Sequence, residues 1–158
     1  MQPRGTLSLD GDTTEITFER HLDAKVPAVW AAIATADGIV RWLVREADMG
    51  DSVGSAVRLV FDDDAVVGGT ITRRESGQSL SHGWDYGPDA RSEVSWTLDD
   101  GGNRTVLRLL HRGLPVDQAR GYLPGWHAYF DRLASVLAGE QPHGFGELYT
   151  AAAEAYAD

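Results

Sequence analysis

The chain has 158 residues, a length typical of one domain that buries about 70% of the surface its unfolded form would expose. Its 24 acidic and 14 basic residues give a formal net charge of −10, which disfavours nucleic acid and anionic membrane surfaces as partners. The absence of cysteine excludes a disulfide framework and a thiolate nucleophile, and it favours a cytoplasmic location.

The first part of the chain predicts strands followed by two short helices. Its opening, MQPRGTLSLDGD, lacks the apolar core of a signal peptide, and no apolar run is long enough to span a bilayer. Period-two alternation over residues 14–22 predicts a strand that turns Arg20 to the same face as Phe18, and a weaker strand over 6–9 precedes it. Pro27 and Trp30 belong to a predicted short helix, which Asp37-Gly38 separates from a second one containing Trp42.

The middle of the chain reads as consecutive strands joined by tight turns. The alternation places Phe61, His82, Trp84, Trp96 and His111 on inward positions of their strands. Turns are predicted at the glycine, proline and aspartate clusters, most strongly at the DDGG stretch, residues 99–102. The predicted strands cover residues 56–61, 66–75, 79–87, 92–98 and 105–113.

A long helix follows the strands. Pro124 is suited to a first helical turn and Gly139 to the residue after a last one, so the helix is predicted between them. Trp126, Tyr129 and Phe130 begin an apolar stripe, and Ala128 falls on the opposite, solvent-facing side. Residues 142–158 form a helical tail that docks on the outside of the domain or on a second subunit, so a homodimer is one reading.

This order of elements predicts an α+β fold, with residues 1–141 as its single domain. Successive strands with short turns form an antiparallel sheet that twists and curls, and the long helix fills its concave face. Because large aromatic residues come from both the helix and the inward strand positions, a cavity between helix and sheet is expected.

The sequence resembles the Activator of Hsp90 ATPase homologue 1-like group of the START-like, or SRPBCC, superfamily. The residues that carry the resemblance are FERHLDAKVPAVWAAI, RWL, SLSHGWDYG, TVLRLLHRGL and, most specifically, GWHAYFDRLASVLAGE, so that it extends over residues 14–139. It implies the helix-grip fold, also called Bet v 1-like: a curved antiparallel sheet around a long C-terminal helix, with a hydrophobic cavity. The superfamily includes lipid carriers, cyclases and co-chaperone domains, so the fold alone does not assign a function.

Inward aromatic residues are the main candidates for ligand binding, because they offer flat apolar contact area at little cost in side-chain entropy. The alternative is that each is ordinary core. The candidates are Trp30, Trp42, Phe61, Trp84, Trp96, Trp126, Tyr129 and Phe130, of which Trp84, Trp96, Trp126 and Phe130 are expected to border the cavity.

Three inward polar residues are candidates for orienting a ligand. His82 and His111 could also act as general acid or base, and Arg20 could hold a ligand carboxylate. Their alternative roles are structural: a buried histidine bonded to a backbone carbonyl, and an arginine that reaches solvent or pairs with a carboxylate. No metal site and no cofactor is expected, since the histidines lack metal-ligand spacing and no nucleotide-binding or serine-hydrolase motif occurs.

Three functions remain open from the sequence. The first is binding of a hydrophobic or aromatic small molecule between sheet and helix, without a catalytic step. The second is a cyclase or dehydratase type of enzyme, which needs a second polar group near His111. The third is a co-chaperone-like protein-interaction domain, which predicts an exposed apolar patch and a collapsed cavity.

Overall fold

A computed structural model describes residues 4–157. The first three residues of the stretch considered for a signal peptide, and the last residue of the tail, lie outside this range. The elements, in chain order, are β1 (Thr6–Asp10), β2 (Thr13–Leu22), α1 (Val26–Ala34), α2 (Ala36–Ile39), β3 (Glu46–Met49), β4 (Ala56–Asp62), β5 (Ala65–Glu75), β6 (Ser79–Gly83), β7 (Glu93–Asp100), β8 (Thr105–Pro115), α3 (Val116–Leu137) and α4 (Phe145–Ala155).

The strands form one eight-stranded antiparallel sheet in the order β1-β2-β8-β7-β6-β5-β4-β3. After β2, helices α1 and α2 carry the chain to the opposite edge, from which the strands return one by one until β8 pairs with β2. The α3 helix lies against β1, β2 and β8 and buries its aromatic stripe in the core. This confirms the predicted α+β architecture of a curved sheet around a long C-terminal helix.

The strand alternation predicted which side chains face the core. Along β8, Thr105, Leu107, Leu109 and His111 are buried, as the period of two requires. The β7–β8 turn also forms at the predicted place, where the Asp100 carboxylate accepts a hydrogen bond from the backbone N–H of Gly102 at 2.8 Å.

The predicted start of the long helix was wrong. The α3 helix begins at Val116, with Pro115 at its N-cap position, and Pro124 lies inside it and is buried. Proline has no N–H to donate to the carbonyl four residues earlier, that of Arg120, but Arg120 is exposed and water can serve that carbonyl. The predicted end was right: Gly139 follows the helix with φ +76°, a conformation that glycine adopts without strain.

The prediction of which side of α3 faces solvent was also partly wrong. Ala128 is fully buried, and α4 packs against α3. The tail therefore docks on its own domain, through stacking of Phe145 on Tyr129 at 4.2 Å and a hydrogen bond between Tyr156 and His127 at 3.0 Å.

The second short helix was predicted too late in the chain. Thr35 has extended backbone angles and its Oγ1 accepts a hydrogen bond from the N–H of Gly38 at 3.0 Å, so that α2 begins at Ala36. Gly38 lies inside this helix rather than before it. A Cβ at this position would collide with the carbonyl of Ala31, so the crossing of the two helices requires glycine. Strand β3 was not predicted at all.

Candidate ligand-binding site

A cleft of about 540 Å³ lies between helices α3 and α4 and the part of the sheet where β4 ends and β5 begins. One wall is formed by α3 and α4, and the other by the β4–β5 turn region and the segment that follows β6. The residues that line it are Leu43, Phe61, Ala65, Trp84, Tyr86, Ala90, Gln118, Gly121, Tyr122, Gly125, Trp126, Tyr129, Phe145 and Tyr149. The volume lies within the range of small-molecule sites, about 300–1,000 Å³.

The segment after β6 is fixed by backbone hydrogen bonds. The N–H of Asp85 donates to the carbonyl of Gly68 at 2.8 Å, and the N–H of Gly68 donates to the carbonyl of Asp85 at 2.9 Å. The N–H of Trp84 donates to the carbonyl of Ser92 at 2.8 Å. These bonds hold Trp84 and Tyr86 at the cleft although regular strand pairing has ended at Gly83.

Aromatic contacts connect this segment to the helices. The ring centroid of Trp84 lies 5.2 Å from that of Trp126 and 5.8 Å from that of Phe61. Phe61, near the end of β4, also lies 5.9 Å from Tyr129. The cleft thus has an aromatic floor built from strand and helix together.

Helix α4 completes the wall beside α3. Phe145 stacks on Tyr129 with an interplanar angle of 23°, and the Tyr149 hydroxyl donates to the carbonyl of Gly121 at 3.5 Å. A Cβ added to Gly125 would lie 3.9 Å from the Tyr149 ring. Because Gly121 and Gly125 have no side chains, space remains between α3 and the aromatic residues of α4.

Tyr86 and Tyr122 bring two phenol groups to the cleft lining. The indole N–H of Trp84 donates to the Tyr122 hydroxyl at 3.1 Å. Burial raises the pKa of both Tyr86 and Tyr122, and it raises the pKa of Tyr129 to about 12. These phenols are neutral at pH 7.

His111 lies behind the cleft wall with both ring nitrogens engaged. Its Nδ1 accepts a hydrogen bond from the indole N–H of Trp126 at 3.1 Å, and its Nε2 lies 2.9 Å from the Ser92 hydroxyl. The Ser92 hydroxyl donates to the carbonyl of Trp84 at 2.7 Å, so Nε2 carries the hydrogen and donates to Ser92. Burial, with a smaller effect of His82, lowers the pKa of His111 to about 3.

His82 is arranged in the same way. Its Nδ1 lies 2.9 Å from the carbonyl of Gly83, to which it donates, and its Nε2 accepts from the indole N–H of Trp96 at 3.2 Å. Burial lowers the pKa of His82, so it too is neutral. Burial thus keeps both candidate catalytic residues neutral, their ring nitrogens are bonded inside the protein, and neither contributes to the lining of the cleft.

Arg20 lies in a separate cluster. It is buried, with its guanidinium 5.4 Å from the ring of Phe130, 3.3 Å from Nδ1 of His127 and 3.1 Å from the carbonyl of Glu19. The Tyr156 hydroxyl, at the end of α4, lies 3.0 Å from the same His127 nitrogen. Arg20 therefore joins β2, α3 and the chain's last helix and does not line the cleft.

The predicted aromatic residues occupy three locations. Trp84, Trp126, Tyr129 and Phe61 line the cleft. Trp42, Trp96 and Phe130 form a buried cluster beneath it, and half-buried Trp30 lies on α1 with the Arg74 guanidinium 5.4 Å from its ring.

Sequence reasoning missed Tyr86, Tyr122, Gln118, Phe145 and Tyr149 as lining residues. Tyr86 continues the inward alternation of Trp84, and Tyr122 precedes Trp126 by four residues on one helix face, so a signal was present for both. Phe145 and Tyr149 were assigned to the tail stripe. Their place in the cleft depends on where α4 docks, which no local pattern specifies.

Comparison with known proteins identifies the fold independently. The model of the family described as "Activator of Hsp90 ATPase homolog 1-like protein" matches residues 23–138. Helix α4 lies beyond this region, so two of the aromatic residues that line the cleft lie outside the part that the family model matches. No protein of curated function matches the chain.

Solved structures of the same fold cover nearly the whole chain. CalU16 from Micromonospora echinospora is 25% identical, with a TM-score of 0.77, covering 98% of this chain and 95% of that chain. The protein encoded by gene BPP1335 from Bordetella parapertussis is 28% identical, with a TM-score of 0.74 and coverage of 99% and 91%. DynU16, from the dynemicin biosynthetic locus, is 22% identical with a TM-score of 0.73, covering 86% of this chain and 51% of that chain, a likeness of fold alone.

None of the helices in residues 4–157 is both long and apolar enough to cross a lipid bilayer.

Proposed function

The chain belongs to the family of Activator of Hsp90 ATPase homolog 1-like proteins, and from this premise we propose that it binds a hydrophobic or aromatic small molecule in the cleft between sheet and C-terminal helices. The observation that carries the proposal is the lining itself. Aromatic side chains from both walls surround about 540 Å³ of open space, instead of interdigitating as they would in a closed core.

The contrast with the neighbouring core strengthens this proposal. Trp42, Trp96 and Phe130 are nearly inaccessible, with Trp42 and Phe130 stacked at 6.2 Å, whereas Phe61, Tyr122 and Tyr129 remain half-buried at the cleft. Of the aromatic residues that line the cleft, Trp84 and Trp126 are as buried as the core residues. On the cleft side, Gly121 and Gly125 occupy positions of α3 where a larger side chain would fill the space. Glycine within a helix costs about 1 kcal/mol relative to alanine, so these positions sacrifice helix stability for open volume.

The test is to close the cleft from α3. The variant Gly121→Leu projects a side chain toward Tyr149, and it should reduce the affinity for the neutral fluorophore N-phenyl-1-naphthylamine by at least about tenfold. The matched control is Gly146→Leu on α4, an exposed glycine with open space at its Cβ position and outside the lining.

Two results would count against the proposal. One is that the fluorophore fails to bind the wild-type protein. The other is that it binds Gly121→Leu and wild type equally, which would place its site elsewhere on the surface. Native mass spectrometry of the freshly purified protein gives an independent measurement, because an apolar cleft that carries a ligand shows an added mass that disappears on denaturation.

The alternative functions receive less support from the geometry. An enzyme of the cyclase or dehydratase type requires a histidine that exchanges a proton with the substrate, whereas the ring nitrogens of His111 and His82 are bonded inside the protein.

A co-chaperone-like surface requires a contiguous apolar patch. The exposed large hydrophobic residues of the described chain, Leu9, Val40, Val53 and Tyr86, come from four separate segments.

Two further expectations remain predictions. A cytoplasmic location is favoured by the absence of cysteine. A homodimer would have to use a surface other than the side of α4 that packs on α3.

A further inference from the structure

We propose that helix α4 is a lid over the cleft, that the Tyr156 hydroxyl holds it closed, and that ligand is exchanged when the lid turns about Gly144. This inference rests on the proposed small-molecule function and concerns how a ligand enters and leaves the same cleft. It is carried by the contrast between the sparse burial of α4 along its length and the closely bonded residue at its end.

Helix α4 is the cleft wall with the weakest attachment to the domain. Of its 11 described residues only Ala152 is buried, whereas α3 buries residues along its whole length. Within residues 4–157, no backbone–backbone hydrogen bond joins α4 to another helix or strand. The opposite wall is held by the pair of such bonds between Asp85 and Gly68. A segment with few buried contacts opens at a low cost in free energy, so α4 is the wall that can move.

The connection between α3 and α4 places a hinge directly before the lid. Residues 140–144 belong to no helix or strand. His143 is tied to the domain, because the Arg132 guanidinium donates to its carbonyl. Gly144 follows, with open space around the position of a Cβ, and glycine has the widest choice of backbone angles. Rotation at this residue carries the lid away from α3 and leaves the rest of the domain in place.

The closed lid brings two aromatic rings to the cleft. Phe145 stacks on Tyr129 at 4.2 Å, and the Tyr149 ring lies 3.9 Å from the position of a Cβ on Gly125. Both rings belong to the lining, so an open lid removes part of the apolar surface that a bound molecule contacts. Small-molecule sites bury about 70–90% of the ligand surface, and a wall that moves lets the ligand enter such a site.

The Tyr156 hydroxyl connects the far end of the lid to the start of the chain and to α3. The N–H of Gly5 donates to it at 2.8 Å. A guanidinium can only donate, so Nδ1 of His127, which lies 3.3 Å from Arg20, carries no hydrogen and accepts from the Tyr156 hydroxyl at 3.0 Å. The Arg4 guanidinium lies 4.6 Å from the centroid of the Tyr156 ring. The phenol is therefore bonded on both sides when the lid is closed.

This contact is remote from the ligand. Phe145 and Tyr156 lie about 16 Å apart along the helix axis. Tyr156 does not belong to the lining, so its hydroxyl acts on a ligand through the lid. Deleting the hydroxyl should change how fast the ligand is exchanged more than how tightly it is bound.

The experiment is stopped-flow binding of N-phenyl-1-naphthylamine to the protein. The observed rate rises with protein concentration; its slope gives the association rate constant and its intercept the dissociation rate constant. We expect Tyr156→Phe to raise both about fivefold, because loss of its hydrogen bonds increases the population of the open lid with and without ligand. The dissociation constant is the ratio of the two, and it should change by less than about twofold.

Thr105→Val is the matched control for the loss of a hydroxyl. Its Oγ1 donates to the carbonyl of Ala24 at 2.7 Å, and neither residue lines the cleft or belongs to α4. This variant should lose a similar amount of stability and exchange the fluorophore at the wild-type rates. Thermal melting of each variant establishes that it is folded.

Gly144→Pro tests the hinge in the opposite direction. Gly144 has φ −63°, the value that proline imposes, and its N–H donates to no described residue, so the closed lid accepts this substitution. Other orientations of the lid become restricted. Both rate constants should therefore fall about threefold.

The outcomes separate the lid from the cleft itself. Wild-type rates in Tyr156→Phe would overturn the lid, as would an equal acceleration in Thr105→Val, which would indicate general loosening of the fold. Faster dissociation with unchanged association would overturn it too, because Tyr156 would then support a fixed wall. Wild-type rates in Gly144→Pro would overturn the hinge. In all these cases the cleft still binds the fluorophore, whereas a wild-type protein that does not bind it would overturn the proposed function.

Discussion

The His111→Gln variant tests whether this histidine is a structural residue that burial keeps neutral. Burial lowers its pKa in the folded protein to about 3, from an ordinary value of 6.5. Below pH 6.5 the unfolded chain therefore binds a proton at this side chain that the folded protein does not. The free energy of unfolding must fall as the pH drops through this window, from 6.5 toward about 3.

The size of the effect follows from the linkage relation. Each pH unit within the window costs about 1.4 kcal/mol for one such group, so lowering the pH from 6.5 to 5 should remove roughly 2 kcal/mol through His111 alone. The measurement stops at pH 5, because below about 4.5 carboxylates with lowered pKa, such as Glu75 beside Arg73, begin to lose their own stabilisation.

The assay is urea unfolding followed by tryptophan fluorescence, from pH 7.5 to pH 5 at constant ionic strength. Glutamine can accept from Trp126 and donate to Ser92, as the imidazole does, but it does not titrate. The variant should be less stable than wild type at pH 7.5. The difference between their free energies of unfolding should become smaller by roughly 2 kcal/mol at pH 5. His143→Gln, at an exposed position, should keep the wild-type slope. Parallel curves for wild type and His111→Gln would refute the claim that the fold keeps His111 neutral.

Three further predictions concern helices. Phe145→Ala removes the ring stacked on Tyr129 and should weaken binding of N-phenyl-1-naphthylamine about fivefold with little change in melting temperature, which a fluorescence titration and a thermal scan decide together. Tyr156→Phe removes the hydroxyl at the end of α4 and should cost about 1–2 kcal/mol in urea unfolding while accelerating amide exchange in α4, so unchanged exchange would show that this hydroxyl does not anchor the helix. Gly38→Ala places a Cβ against the carbonyl of Ala31 and should cost about 3 kcal/mol, or a fall of about 6–12 °C in melting temperature; a stability equal to wild type would contradict the close crossing of α1 and α2.

The sequence was sufficient for the parts of the fold that follow local periodicity. The inward positions of Arg20, His82 and His111 came from strand alternation, and all three are buried. A period of two determines which face a side chain occupies as soon as the strand exists, so burial of these polar groups did not require knowledge of the sheet order.

Helix boundaries and docking were less predictable, because they depend on tertiary contacts. A proline is favoured in a first turn, yet Pro124 is tolerated inside α3, where it is buried and where Arg120, whose carbonyl loses its helical donor, is an exposed residue. Likewise, the stripe in the tail predicted a helix but not its partner. Packing of Phe145 on Tyr129 determines that α4 belongs to the cleft wall.

The partners of the histidines could not be predicted from spacing. His111 and Trp126 come from a strand and a helix, and their hydrogen bond depends on how α3 is rotated over β8. His82 and Trp96 lie on paired strands, two residues out of direct register, since Leu80 is the residue opposite Trp96. A candidate acid or base was therefore visible in the sequence, and the evidence for a structural role appears only in three dimensions.

The distribution of indole donors indicates why folding and recognition use different polar groups in this protein. Tryptophan has a large apolar ring and one N–H that needs an acceptor when buried. Trp96 in the core and Trp126 in the cleft wall donate to His82 and His111, whose remaining hydrogens are taken by protein acceptors, so that these two hydrogen-bond series end within the fold. At the cleft, Trp84 donates to the Tyr122 hydroxyl, which keeps a hydrogen of its own to donate. A histidine whose hydrogen already has a protein acceptor cannot bind a ligand without breaking that hydrogen bond. Hydrogen bonding to a ligand can therefore be selective at the tyrosines of the cleft, and the phenols rather than the imidazoles are the groups to mutate first.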